Sequence, residues 1–255
     1  MNKVAEYIKY RLNAKKRHGI HSPFVYELSD KGLTSELTKD EKQVINAFIK
    51  NLKGNNESIE VTDHGSGSKK LSNKRRVKDI YRVSSSKGRY GHLLFKLSRH
   101  FKPMQILELG TSLGVGTTYM KLGSPEAAIF TIEGCPETAQ IARKNFNKTG
   151  LKEIHSLVGT FKEVIPVLGA VKFDMIFIDG HHSGVATLEY LQMLESHISD
   201  NTILIFDDIR WSDDMLSAWN HIVKTSGYHV TIDLFRMGIA VKRPQQEKEH
   251  FTLRF

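Results

Sequence analysis

The chain has 255 residues, 40% hydrophobic and 25% charged, with a formal net charge of +9; this balance fits one sizeable globular domain, or one with a smaller appended piece. No apolar run reaches eighteen residues, which excludes a helical membrane span, and the charged opening MNKVAEYIKYRLNAKKRHG lacks the apolar core of a secretory leader. Its one cysteine, Cys135, excludes an internal disulfide and fits a reducing cytoplasm.

The charge is uneven. Residues 1–102 carry 23 Lys+Arg against 10 Asp+Glu, a net +13, and the remainder 14 against 18, a net −4. The asymmetry suggests a boundary near Pro103 and an anionic partner for the first part; a solvated basic surface is the plainer reading.

In chain order, KVAEYIKYRLNAKKR has helical periodicity, and His21 is expected on an N-terminal helix. Ser22-Pro23 reads as an N-cap and first helical position opening PFVYELSDKGL. A third helix covers TKDEKQVINAFIKNLKG. DHGSGSKKLSNKRRVKD, rich in glycine, serine and basic residues, reads as a loop. Within it Asp63-His64 could form a lid or a solvated turn, and KKLSNKRR could attract phosphate or be a solvated face. YGHLLFKLSRHF is expected as a helix leading into the first large strand.

From Met104 onward, short β-branched apolar runs alternate with helical stretches. MQILELG, AIFTIEG, IHSLVGT, FDMIFIDG and NTILIFDD read as buried parallel strands. VGTTYMKLG, PETAQIARKNFNKTG, FKEVIPVLGA and GVATLEYLQMLESHI read as the helices between them, with Pro136 in a first turn and Gly150 past a helix end. SDDMLSAWNHIVKTSG follows, capped by Ser212. HVTIDLFRMGIAVKRP then holds two strand-like runs joined almost without a loop at Arg236-Met237-Gly238, which permits only an antiparallel hairpin. The expected fold is α/β: a Rossmann-like, doubly wound sheet of seven strands with a terminal antiparallel hairpin, plus an N-terminal helical extension. The division falls at 1–89, the basic extension, and 90–255, the α/β domain.

ILELGTSLGVGTT carries the chemistry. Gly110, Gly114 and Gly116 let the backbone turn sharply between a strand and a helix and approach a ligand closely. Dinucleotide folds use such a turn too. Glu108, two residues before the first glycine, would repel an anionic group and welcome a cationic one. Glu133 ends the next strand, placed to accept from both ribose hydroxyls. Together they suit a positively charged nucleoside.

These residues, with TIEG, FDMIFIDG, ILIFDDI and the terminal hairpin, resemble the successive motifs of class I S-adenosylmethionine-dependent methyltransferases over about residues 90–243. The E-L-G-T-S-x-G form resembles the small-molecule O-methyltransferase branch of catechol and caffeoyl-CoA type, although Ser112 stands where many members have a glycine. The resemblance implies an enzyme using S-adenosyl-L-methionine. Glu108, Gly110, Ser112 and Gly114 would form the methionine-side cradle, Glu133 would hold the ribose, and Gly159, Thr160 and Phe161 would flank the adenine. Asp179 would face the methyl group.

The same resemblance implies a divalent metal, Mg2+ or Mn2+, held by Asp179, Asp207 and Asp208. Asp208 stands where that branch usually has Asn; it could bind metal, cap a helix or accept from Arg210. His182 holds the spacing of that branch's basic lysine and is a candidate catalytic base beside Asp179. His182 could equally hydrogen-bond within a surface loop, the reading preferred for His181. Trp211 could wall the acceptor pocket or pack beneath the next helix. The expected substrate is a small hydroxylated metabolite. The alternatives are an RNA methyltransferase using the basic extension, against which stands the absence of an Asn/Asp-Pro-Pro-aromatic motif, and a non-catalytic nucleoside-binding module. The N-terminal helices offer a surface for a homodimer.

Overall fold

The computed structural model describes residues 3–15, 19–62, 74–83 and 86–255. Asp63, His64 and the first part of KKLSNKRR lie outside the described residues. Packing divides the chain into two compact units, residues 1–34 with 168–255, and residues 35–167.

The first segment holds α1 (Lys3–Asn13) and α2 (Pro23–Asp30). Ser22 caps α2 as expected, its Oγ accepting from the Val25 N–H at 3.4 Å, with Pro23 opening the helix. His21 is therefore not helical: it precedes the cap, exposed.

The unit of residues 35–167 begins with α3 (Lys39–Gly54), closed by a capping box in which Thr38 and Glu41 exchange hydrogen bonds. The strands β1 (Ser58–Glu60) and β2 (Lys74–Arg76) pair antiparallel, and α4 (Val77–Val83) follows directly. The stretch 63–79, expected as loop, thus ends in strand and helix. In β2 Lys74 and Arg76 are exposed and Arg75 is half-buried, while Ile59 and Val77 are buried. Next come α5 (Arg89–Phe101), β3 (Gln105–Leu109), α6 (Val115–Gly123), β4 (Ala128–Glu133), α7 (Pro136–Lys148), β5 (Ile154–Val158) and α8 (Phe161–Val164). β3, β4 and β5 are parallel, with β4 between the other two. β5 is half exposed rather than buried as expected, and Val158 stays 41% accessible. FKEVIPVLGA forms only one α-turn before tightening into a 3-10 turn at Ile165–Val167, where Pro166 has no N–H to continue the α pattern.

The second part of the other unit runs β6 (Met175–Ile178), α9 (Gly184–Met193), β7 (Ile203–Phe206), α10 (Asp213–Lys224), β8 (Val230–Leu234), β9 (Met237–Val241) and β10 (Glu249–Thr252). Ser212 caps α10, accepting from the Met215 N–H at 3.2 Å. β6 and β7 are parallel, β9 lies antiparallel between β7 and β8, and every residue of these four strands is buried. The hairpin turns on Phe235-Arg236, not on Arg236-Met237-Gly238: Phe235 takes a left-handed φ of 72°, leaving Met237 and Gly238 in β9.

The fold is α/β and Rossmann-like, with eight mostly parallel strands rather than seven. The addition is β10, parallel to β8 and anchored by Phe251. No described helix is long and apolar enough to cross a membrane.

Candidate active site

Backbone constraint is the first sign of the site. Among the described residues, four of the eight non-glycine residues with positive φ lie just past β3, β6 and β7: Ser112 (46°), His181 (68°), His182 (44°) and Asp208 (51°). A side chain held in the left-handed region costs of order 1–3 kcal/mol and persists where the surroundings impose it.

In the unit of residues 35–167 the glycine loop follows β3. Gly110 and Gly114 have φ of 103° and 81°. A Cβ on Gly114 would stand 2.4 Å from Cζ of Phe146, so only glycine lets the loop lie this close to α7. Glu133 fastens the loop: its Oε2 accepts from the Ser112 N–H at 2.7 Å and its Oε1 from the Cys135 N–H at 2.9 Å. A carboxylate offers about four acceptor positions, so it can take several donors at once.

Glu108 lies deeper than the sequence suggested. It is 1% exposed, and its Oε2 accepts from the hydroxyls of Thr131, at 2.6 Å, and Thr117. A Cβ on Gly116 would come within 2.9 Å of its Oε1, placing the acid against the first turn of α6. Burial pushes its pKa up to about 7, against the lowering pull of the two hydroxyls. Past β5, Gly159 has a φ of 149°. Thr160 is the N-cap of α8, exchanging hydrogen bonds with Glu163, and Phe161 opens that short helix, half-buried.

In the other unit the acids follow β6 and β7. Asp207 is 2% and Asp208 9% exposed. Sequence reasoning missed their main partner, Arg236 in the hairpin turn. Its Nε and Nη2 donate to Oδ1 and Oδ2 of Asp207 at 2.9 and 2.6 Å, and its Nε lies 2.9 Å from Oδ1 of Asp208. Burial opposes the guanidinium charge, but Asp207, Asp208 and Asp179 together raise its pKa above the ordinary value. Asp208 is raised by burial and by Asp207, and held back by Arg236 and His182.

His182 Nδ1 stands 3.4 Å from Oδ2 of Asp208, and its ring lies 5.4 Å from that of Trp211. Trp211 is 53% exposed, so it does not pack beneath α10; the Lys3 ammonium sits 4.8 Å from its ring centre. Arg210 does not serve Asp208. It makes a two-pronged pair with Asp233, at 2.9 and 2.6 Å, and reaches Glu6 at 3.5 Å. His181 bonds through Nδ1 to the Tyr190 hydroxyl at 2.7 Å, the ordinary role expected of it.

Two fits follow. The glycine loop with Glu133 fits a nucleoside: close backbone and a strand-end carboxylate. The acids of the other unit do not fit a divalent metal as arranged. Both oxygens of Asp207 and one of Asp208 are engaged by Arg236, and among the described residues no group of three or more His, Cys, Asp or Glu is disposed to hold a metal ion.

A family model described as a methyltransferase domain matches residues 107–209. A catechol O-methyltransferase of Niastella koreensis is 32% identical over 132 residues, covering 50% of this chain and 58% of the relative. One of Mycobacterium tuberculosis is 26% identical over 129 residues, covering 50% and 56%. The chain thus spans little more than half the length of these relatives. Among solved structures, an SAH-bound methyltransferase of Podospora anserina aligns with a TM-score of 0.59 at 16% identity, covering 88% of this chain and 96% of that one. The O-methyltransferase TomG of Streptomyces achromogenes, in complex with SAM, gives 0.57 at 17%, covering 86% and 94%. At these identities the structures share the fold.

Proposed function

We propose that this chain, whose residues 107–209 match a family model described as a methyltransferase domain, methylates a hydroxyl of a small metabolite, with His182 as the base. The observation that carries the reading is the pair His182–Asp208 beside the exposed ring of Trp211. S-adenosylmethionine, when bound, supplies an electrophilic methyl group on a sulfonium. Gly110, Ser112 and Gly114 give it a close backbone, Glu133 accepts from the ribose hydroxyls, and Gly159, Thr160 and Phe161 flank the base. Glu108 stands behind the loop as a buried acid.

Asp208 favours the tautomer with the proton on Nδ1 of His182, leaving Nε2 to take the acceptor's hydroxyl proton. Trp211 offers a flat face to an aromatic acceptor, and Asp179 contributes negative charge on the same side as the base. In this reading residues 90–255 carry the reaction, and the N-terminal extension shapes the acceptor side through Lys3. No step is routed through a metal.

The test is a transfer assay with catechol as probe acceptor, alongside calorimetry with S-adenosylhomocysteine. His182→Gln is expected to lower kcat about 100-fold or more with product affinity unchanged. Equal loss of S-adenosylhomocysteine binding, or an unchanged kcat, would remove His182 from the role of base. A wild-type chain that binds neither S-adenosylmethionine nor its product would remove the methyltransferase reading itself.

A further inference from the structure

We propose that Arg236 permanently fills the place a divalent cation would take among Asp179, Asp207 and Asp208, so that the chain works without a metal and does not require its acceptor to chelate. The inference deepens the methyltransferase reading and rests on it for its consequence, but not for its geometry.

The oxygens of Asp207 and Asp208 that a cation would need are already used. Asp207 gives Oδ1 and Oδ2 to the two prongs of Arg236, and its Oδ1 also accepts from the Asp208 N–H at 2.8 Å. Its side chain is wholly inaccessible and that of Arg236 is 23% accessible. Asp208 turns Oδ1 to Arg236 and Oδ2 to His182. A guanidinium is planar and two-pronged, so it can bridge adjacent carboxylates as a point-like ammonium cannot.

The arginine is also delivered rigidly. Its N–H donates to the Leu234 carbonyl at 3.0 Å, and its carbonyl accepts from the Ile209 N–H at 2.9 Å. The preceding Phe235 N–H donates to Oδ1 of Asp233 at 2.8 Å. The turn is therefore tied on both sides, and expelling the guanidinium would leave a half-buried positive charge without its partners, which is strongly unfavourable.

A consequence for the acceptor follows from the difference between a guanidinium and a metal. A divalent cation ligates two neighbouring hydroxyls and favours vicinal diols; a guanidinium paired with Asp207 and Asp208 has no coordination sphere with which to chelate a diol. Recognition then needs one hydroxyl, and a simple phenol serves as well as a catechol.

The experiment titrates Mn2+ into chelator-stripped full-length protein, following free Mn2+ by electron paramagnetic resonance and heat by calorimetry. Wild type is expected to show no site, whereas Arg236→Leu, which unmasks the carboxylates, tightens Mn2+ binding about tenfold or more by the charge count of the ligands. Should the leucine variant fail to fold, Arg236→Lys keeps one charge but cannot bridge, and is expected to lie between. One Mn2+ bound per wild-type chain and lost in Asp207→Asn overturns the proposal. So does a folded Arg236→Leu or Arg236→Lys that gains no affinity. Calorimetry with S-adenosylhomocysteine under chelator runs in parallel: failure to bind there counts against the methyltransferase reading and leaves the Mn2+ result standing.

Discussion

Replacing Glu108 by Gln should flatten the pH dependence of stability. The carboxyl is 1% exposed, and its pKa rises from 4.5 to about 7 because burial disfavours the charged form. Between those values the folded chain holds a proton that the unfolded chain has released, so stability falls as pH rises. The contribution is fully present below about pH 4.5 and lost above about pH 7. At about 1.4 kcal/mol per pH unit, the shift corresponds to about 3 kcal/mol lost across that window. Gln keeps the shape and an acceptor for Thr117 and Thr131 but cannot ionise. Urea unfolding at pH 5 and pH 8 is the assay, and thermodynamic reversibility must hold at both. Wild type is expected to lose about 3 kcal/mol more than Glu108→Gln between the two. Equal losses in the two proteins would refute a proton held by buried Glu108.

Two further substitutions test the frame around the site. Gly114→Ala puts a Cβ against Phe146 at a φ of 81°; it should destabilise by about 2 kcal/mol and weaken S-adenosylhomocysteine binding in calorimetry, and unchanged values of both would sink the close-approach argument. Asp233→Ala removes the two-pronged partner of Arg210 and the acceptor of the Phe235 N–H; the stranded guanidinium should lower stability by about 3 kcal/mol or more, visible as a drop in Tm that Asp233→Glu partly restores.

What the sequence made legible was local. Apolar β-branched runs marked β3, β4, β6 and β7 near their true limits; β3, β6 and β7 are buried almost throughout and leave no polar alternation to mislead, while β4 is buried in part. Caps at Ser22 and Ser212 need only residues three positions away. What stayed hidden depends on distant partners. β2 is Lys-Arg-Arg, a composition that reads as loop, and it is a strand because β1 pairs with it. β10 is four residues with one fully buried side chain, and only the edge offered by β8 makes it a strand. Arg236 looked like a turn residue; its meaning comes from Asp207 and Asp208, 29 and 28 positions earlier. The placement of three acids at strand ends was readable, but the guanidinium paired with Asp207 and Asp208 was not.

The C-terminal segment also bears on the order in which the chain is made. Lys15 donates its N–H to the Thr252 carbonyl, the Arg254 N–H returns to Lys15, and the Tyr10 hydroxyl donates to the Leu253 carbonyl. Tyr7 and Tyr10 pack on Phe235. On the ribosome, α1 emerges more than two hundred residues before these partners. Until then its tyrosines have nothing to cover them, and Arg210 lacks the hold of Glu6. Docking of α1 is thus a late, long-range event, and a nascent chain stalled before residue 249 would carry an unanchored basic helix: a handle for chaperones, and the earliest place for proteolysis to begin.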